Sequence, residues 1–133
     1  VLAAGVHMPA VQRGDPTRVA LEAYPGYVMR TIARMRGEER APSYKNDARA
    51  KQTEAQRDAR VGLVSALIDG AHAFELRTDV TIGLFEQAVE DASGDTLDAI
   101  ACAVQAGWAA QRAASNYGLP RRIDPIEGWI VGA

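Results

Sequence analysis

A chain of 133 residues with 47% apolar and 24% charged residues has the length and balance of one soluble globular domain with a single core. Its net charge of −2 excludes the broadly basic surface that strong non-specific nucleic-acid binding needs. No apolar run approaches the ~20 residues of a helical membrane span, so association with a membrane is not expected.

The start, Val1–Met8, is too short and lacks the basic leader of a signal peptide. The single cysteine, Cys102, cannot form an internal disulfide, which fits a reducing cytoplasm. Charge is unevenly spread. Residues 30–60 hold nine Lys/Arg against five Asp/Glu, and residues 61–133 hold four against ten. A basic flank beside an acidic centre suits a metal-dependent nuclease, and it equally suits a solvated helix face beside an unrelated acidic surface.

Val1–Met8 reads as a short strand, and Pro9–Pro16 as a polar connection with turn residues Gly14, Asp15 and Pro16. Thr17–Tyr24 alternates, with Val19, Leu21 and Ala23 on one face and Arg18, Ala20, Glu22 and Tyr24 on the other, which predicts a strand. Pro25 ends it and suits the first turn of a helix. That helix is expected over Tyr27–Arg36, with Val28, Ile32 and Met35 on its buried stripe and Gly37 as its stop.

A charged loop, Glu38–Asp47, carries Tyr44 and Lys45. A long helix is predicted from about Ala48 to Asp69, polar then apolar, with Gly70 as its cap. Ala71–Arg77 suggests a short strand. Asp79 is the expected N-cap of a helix that buries Val80, Leu84, Phe85 and Ala88. The last long helix should start at Ser93 or Gly94 and reach about Asn116, since Leu97, Ile100, Ala101, Val104 and Trp108 fall on one stripe. Ile126–Val131 reads as a terminal strand around Gly128. No repeat or linker divides the chain, so residues 1–133 read as one α/β domain, rich in helix.

Three carboxylates carry the functional reading. Asp95 and Asp98, three apart in the first turn of a helix, share a face about 60° apart and flank its buried seam. Glu22 lies late in its strand, just before Pro25, and the C-terminal ends of strands in α/β folds are where sites assemble. Hard divalent cations such as Mg²⁺ take oxygen ligands, and two of them ~3.5–4 Å apart can activate a water and stabilise the leaving oxygen in phosphodiester hydrolysis. The bland alternatives are real. Acids in a first turn are favoured by the helix dipole by ~0.3–1 kcal/mol each with no function needed. A strand glutamate can simply pair with a neighbour such as Arg18. Lys45 suits a phosphate contact as a point charge, or a solvated loop position.

Several short segments, taken in order, resemble one family. They are Leu21-Glu-Ala-Tyr-Pro25, Tyr44-Lys45, Asp95-Thr-Leu-Asp-Ala-Ile-Ala-Cys-Ala103 and Glu127-Gly-Trp-Ile130. Over about residues 18–131 the chain resembles the second half of an uncharacterised family of predicted RNase H-like nucleases, the domain of unknown function 429. The resemblance implies a ribonuclease-H-like α/β fold, a mixed sheet flanked by helices, without its N-terminal strands. It implies a nuclease that uses Mg²⁺ or Mn²⁺, with Glu22, Asp95 and Asp98 as metal ligands and catalytic carboxylates, and nucleic acid as partner.

Such folds carry a further Asp on a first strand, and nothing before Glu22 supplies it, because Asp15 lies in a turn. The chain is therefore expected to be a C-terminal portion with little activity by itself, its open sheet edge covered by a second copy in a homodimer. The alternative is a non-catalytic interaction module that keeps the fold. His7 and His72 have no metal-ligand spacing and read as structural or surface residues, Cys102 and Trp108 as packing residues, and Trp129 as core or interface.

Overall fold

Proline at a first helical position loses no hydrogen bond and has its φ already set, and the first helix, α1 (Pro25–Met35), begins on Pro25. In the computed structural model, which describes residues 4–9, 11–124 and 127–133, α1 buries Val28, Met29, Ile32 and Ala33. Met35, expected on that stripe, is 59% exposed. Residues at i, i+1, i+4 and i+5 define a face rotated by about 60° from the predicted one, toward Met29 and Ala33.

α2 (Glu54–Asp69) starts later than expected. Residues 49–51 form a 3₁₀ turn, and Thr53 and Gln56 then close a reciprocal capping box that fixes the helix start. Gly70, left-handed at φ 73°, caps the other end as predicted. The strand suggested for Ala71–Arg77 is absent. These residues make a tight connection through bonds from Ala71 N to Ala66 O, His72 N to Gly70 O and Glu75 N to His72 O. Phe74 turns inward, edge-on to Tyr27 at 6.1 Å.

α3 (Ile82–Glu90) is capped by Thr81, whose hydroxyl accepts from Leu84 N, rather than by Asp79. Its buried residues are Ala88 and Val89, while Leu84 is exposed and Ile82 is 79% exposed, so the predicted apolar face is only half used. α2 packs against both α1 and α3. α4 (Asp95–Ala110) buries Leu97, Ile100, Ala101 and Val104 as the spacing predicts.

The helix stops at Ala110, short of Asn116. A 3₁₀ segment, Ala113–Gly118, follows, and Asn116 and Tyr117 take left-handed φ of 55° and 58° within it. Trp108 is half-buried, with the Arg112 guanidinium stacked 4.0 Å over its ring. After the turn the chain passes close to the same ring, where a Cβ on Gly118 would stand 2.5 Å from it.

The molecule is mixed α/β and helix-rich. Among the described residues its sheet is two short parallel strands, β1 (Val6–His7) and β2 (Asp15–Val19), with an irregular register that pairs Val6 with Asp15 and His7 with Val19. β2 therefore lies earlier than the Thr17–Tyr24 strand of the sequence reading. Beyond it, Glu22 makes an isolated parallel bridge to Ile130 and Gly128 an isolated antiparallel bridge to Asp124, in place of the predicted terminal strand; Ile126 lies outside the described residues.

The chain forms two compact units: Pro25–Val104, contiguous in sequence, and Val1–Tyr24 with Gln105–Ala133. In the second, Ala109, Leu119 and Val131 are buried, and Leu21, Trp108, Tyr117 and Ile123 pack on them. Gln105, fully buried, ties this unit together. Its Nε2 donates to Val131 O at 2.7 Å, and its Oε1 accepts from Tyr24 N at 3.0 Å. Val131 N in turn donates to Glu22 O at 2.9 Å. Gln105→Ala leaves a buried carbonyl and a partly buried amide without these partners, and is expected to cost roughly 2–4 kcal/mol in urea denaturation. A cost below about 1 kcal/mol would show that water replaces the amide there.

Candidate functional site

The start of α4 is built by one carboxylate. Asp91 accepts from Ser93 N and Oγ through Oδ1 (3.1 and 2.6 Å) and from Thr96 N and Oγ1 through Oδ2 (both 2.9 Å). Burial pushes its proton affinity up, but the four donors together outweigh it and bring the carboxyl down to about 2. This cap fixes the turn from which Asp95, exposed, and Asp98, half-buried, project three residues apart. Both acids also lie where the helix dipole favours negative charge.

Asp98 is fully engaged. Tyr44 Oη donates to its Oδ1 at 2.7 Å, and Lys45 Nζ pairs with its Oδ2. Lys45 holds its proton more tightly than an ordinary lysine, first because of that bond to Asp98. Burial opposes this, and the charges of Asp98, Asp95 and Asp47 add to it. Residues more than fifty positions apart, both singled out in the sequence, thus meet at one carboxylate.

Three side chains and one glycine hold the Tyr44–Lys45 segment there. Arg60 Nη1 donates to Tyr44 O at 2.6 Å, and Gln56 Nε2 to Lys45 O at 2.7 Å. Gln52 accepts from Arg60 Nη2, and Arg60 Nε donates to Val89 O at 2.7 Å. Asn46 N bonds Ala92 O at 2.8 Å. Gly94, at φ +75°, leaves room for the segment: a Cβ would stand 2.9 Å from Lys45 Cγ and 3.0 Å from the Tyr44 ring.

None of these supports was assigned a role from the sequence. For Arg60 a signal existed, since a charge falls on the stripe with Leu63, Val64 and Leu67 at i, i+3, i+4 and i+7. For Asp91 it was the Asp-x-Ser pattern that favours a local carboxylate cap.

Glu22 belongs to the other unit, where it is exposed. Its carboxylate lies against Gly128, whose missing side chain makes the approach possible; a Cβ there would be 2.7 Å from Glu22 Oε2. The segments Leu21–Pro25 and Glu127–Ile130 therefore do come together, joined by the Glu22–Ile130 bridge. Arg18 does not pair with Glu22 but donates to Ala4 O at 3.0 Å.

Among the described residues, no group of three or more His, Cys, Asp or Glu side chains is clustered closely enough to hold a metal ion. Cys102 is half-buried, and burial, then the charge of Asp98, raises its thiol's proton affinity, which is the wrong direction for a nucleophile. Trp129 is partly exposed. No described helix is long and apolar enough to cross a membrane. No family model, curated protein or solved structure matches the chain.

Two outcomes follow for the start of α4. Asp91→Ala should cost about 1–2 kcal/mol as a lost cap. Because the Asp91 carboxyl is depressed in the fold, its contribution is complete above about pH 4, the ordinary carboxylate range, and fades as pH falls toward 2. Wild type should therefore lose more stability than Asp91→Ala over that window, as followed by denaturation at each pH; parallel curves would contradict it. Gly94→Ala should cost about 1–2 kcal/mol, more than Tyr44→Phe, because it combines a strained φ with displacement of Tyr44 and Lys45. Equal costs would mean the segment shifts freely.

Proposed function

We propose that the chain carries part of a divalent-metal phosphodiesterase site of RNase H-like type, with Asp95 and Asp98 as ligands of Mg²⁺ or Mn²⁺ and Lys45 as the phosphate contact. What carries the reading is the convergence of Tyr44 and Lys45 on Asp98, two of the segments on which the family resemblance rests. The donor chemistry is of the right kind, and among the described residues no third acid joins the pair. Carboxylate oxygens are the ligands hard cations take, and the half-buried Asp98 already holds one cation, the Lys45 ammonium. A bound ion would lower the pKa of an attacking water and stabilise the leaving oxygen.

The chain's own groups would do the rest. Asp98 is held in one orientation by the Tyr44 phenol, and Asp95 offers a second carboxylate one turn away, at the positive end of the helix. Lys45, once it leaves Asp98, is placed to meet a phosphate oxygen as a point charge. In this reading the fold is a small member of the RNase H-like group, and nucleic acid is the substrate.

A second reading has its own support. Both oxygens of Asp98 are already satisfied by protein donors, as befits an acid kept to tie a loop to a helix in a non-catalytic interaction module. Thermal melting with and without millimolar Mn²⁺ separates the two. A metal site predicts an upward shift of several degrees in wild type, absent in Asp98→Asn and reduced in Asp95→Asn. No shift in wild type, or the same shift in all three proteins, would favour the interaction module.

A further inference from the structure

His72 lies in the tight connection between α2 and α3 and has no solvent exposure. One ring nitrogen, Nε2, is 3.1 Å from the Leu76 carbonyl. A carbonyl can only accept, so Nε2 carries the proton, and neutral His72 has its lone pair on Nδ1. That atom is buried and has no hydrogen-bond partner among the described residues. The ring is packed beside Phe74, tilted, at 5.9 Å between centroids.

A bare lone pair in an apolar pocket is a tolerable defect, whereas a proton on the same atom is not. Protonation would place both a positive charge and an N–H donor where no described acceptor waits. The ring can meet that demand only by leaving. The connection that holds it is short: apart from the Leu76 contact, it is fastened by the backbone bonds of Ala71, His72 and Glu75 and by Ala73 N on Thr31 Oγ1 at 3.3 Å. Glu75 also sits at φ 53°, a left-handed conformation that releasing the segment would relax.

No nearby charge offsets this. Of the charged residues on α1, on the last turn of α2 and in the connection, Arg30, Arg34, Asp69, Glu75 and Arg77 are all exposed. The ring's proton affinity is lowered by burial and raised only by the Leu76 carbonyl, with no contribution from a charged side chain on any element.

We propose that His72 is an acid-sensitive latch, and that its protonation releases residues 71–77 while the helices on either side stay folded. The linkage has a fixed sign. A histidine held neutral in the fold contributes stability in full above about pH 6.5, its ordinary value, and that contribution is lost as pH falls below it. The latch is shut at neutral pH and opens in mild acid. It is independent of the metal-site reading, since none of its residues belongs to that site.

Amide hydrogen exchange on the full chain tests it, with rates normalised to the intrinsic rate at each pH. Between pH 7 and pH 5 the protection factors of Ala71, Ala73 and Glu75 should fall at least tenfold, while those of Leu63, Val64 and Leu67 in α2 hold. His72→Gln keeps a donor for Leu76 O and removes the titration, so its profile should be flat. In wild type, the carbon shifts of the His72 ring should titrate below the ordinary imidazole value of about 6.5, in step with the loss of protection. Unchanged protection in wild type, an equal loss in His72→Gln, or ring titration uncoupled from exchange would each overturn the proposal. If His72→Gln does not fold, the wild-type comparison of ring titration with exchange decides alone.

Discussion

An arginine shut off from water keeps its charge, and it is tolerated only where its N–H groups meet acceptors. Arg60 is such a residue, and the contiguous unit is arranged around its needs. Its guanidinium reaches the carbonyl of Val89 near the end of α3, the carbonyl of Tyr44 in the charged loop, and the amide oxygen of Gln52 ahead of α2. Three stretches of chain that share no periodic pattern are thereby fixed to one planar group. Burial lowers its proton affinity, and the neighbouring charges of Asp91 and Glu90 act in the opposite direction. The loop that presents Tyr44 and Lys45 to Asp98 has its place because this cation needs it there.

The helices were legible where packing and end signals agreed. Pro25 and Gly70 marked their boundaries correctly, and the α4 stripe from Leu97 to Val104 is buried as its spacing required. The misreadings have local causes. Thr81 won the capping role from Asp79, and the Thr53–Gln56 box cut the long helix short. The strand pattern of Thr17–Tyr24 is genuine, but only Glu22 in its second half finds a partner, Ile130. Alternation shows which faces differ in polarity; it does not show whether another strand lies alongside.

The candidate site was legible in its residues and not in its supports. Tyr44, Lys45 and Asp98 could be picked out as chemical groups, yet nothing local in the sequence says that Arg60 and Gln56 anchor the loop or that Gly94 makes room for it. Those roles are long-range and depend on burial, which a one-dimensional pattern encodes weakly. The same holds for His72, which lacked any ligand spacing and proved fully enclosed. A carboxylate held by a phenol and an ammonium is also a poised group: whatever cation takes it must displace the lysine, so any affinity there is measured against an internal competitor.

The Gln105 amide has a consequence for how the chain is made. It joins the Tyr24 amide to the Val131 carbonyl, two groups far apart in chain order. During synthesis from the N-terminus, every residue of the contiguous unit has left the peptidyl-transfer centre before Gln105 is added. The partners that close the other unit are complete only when Val131 has been added. Its early segment, through Tyr24, must therefore wait for these partners while some hundred residues are translated, so this unit closes after the contiguous one.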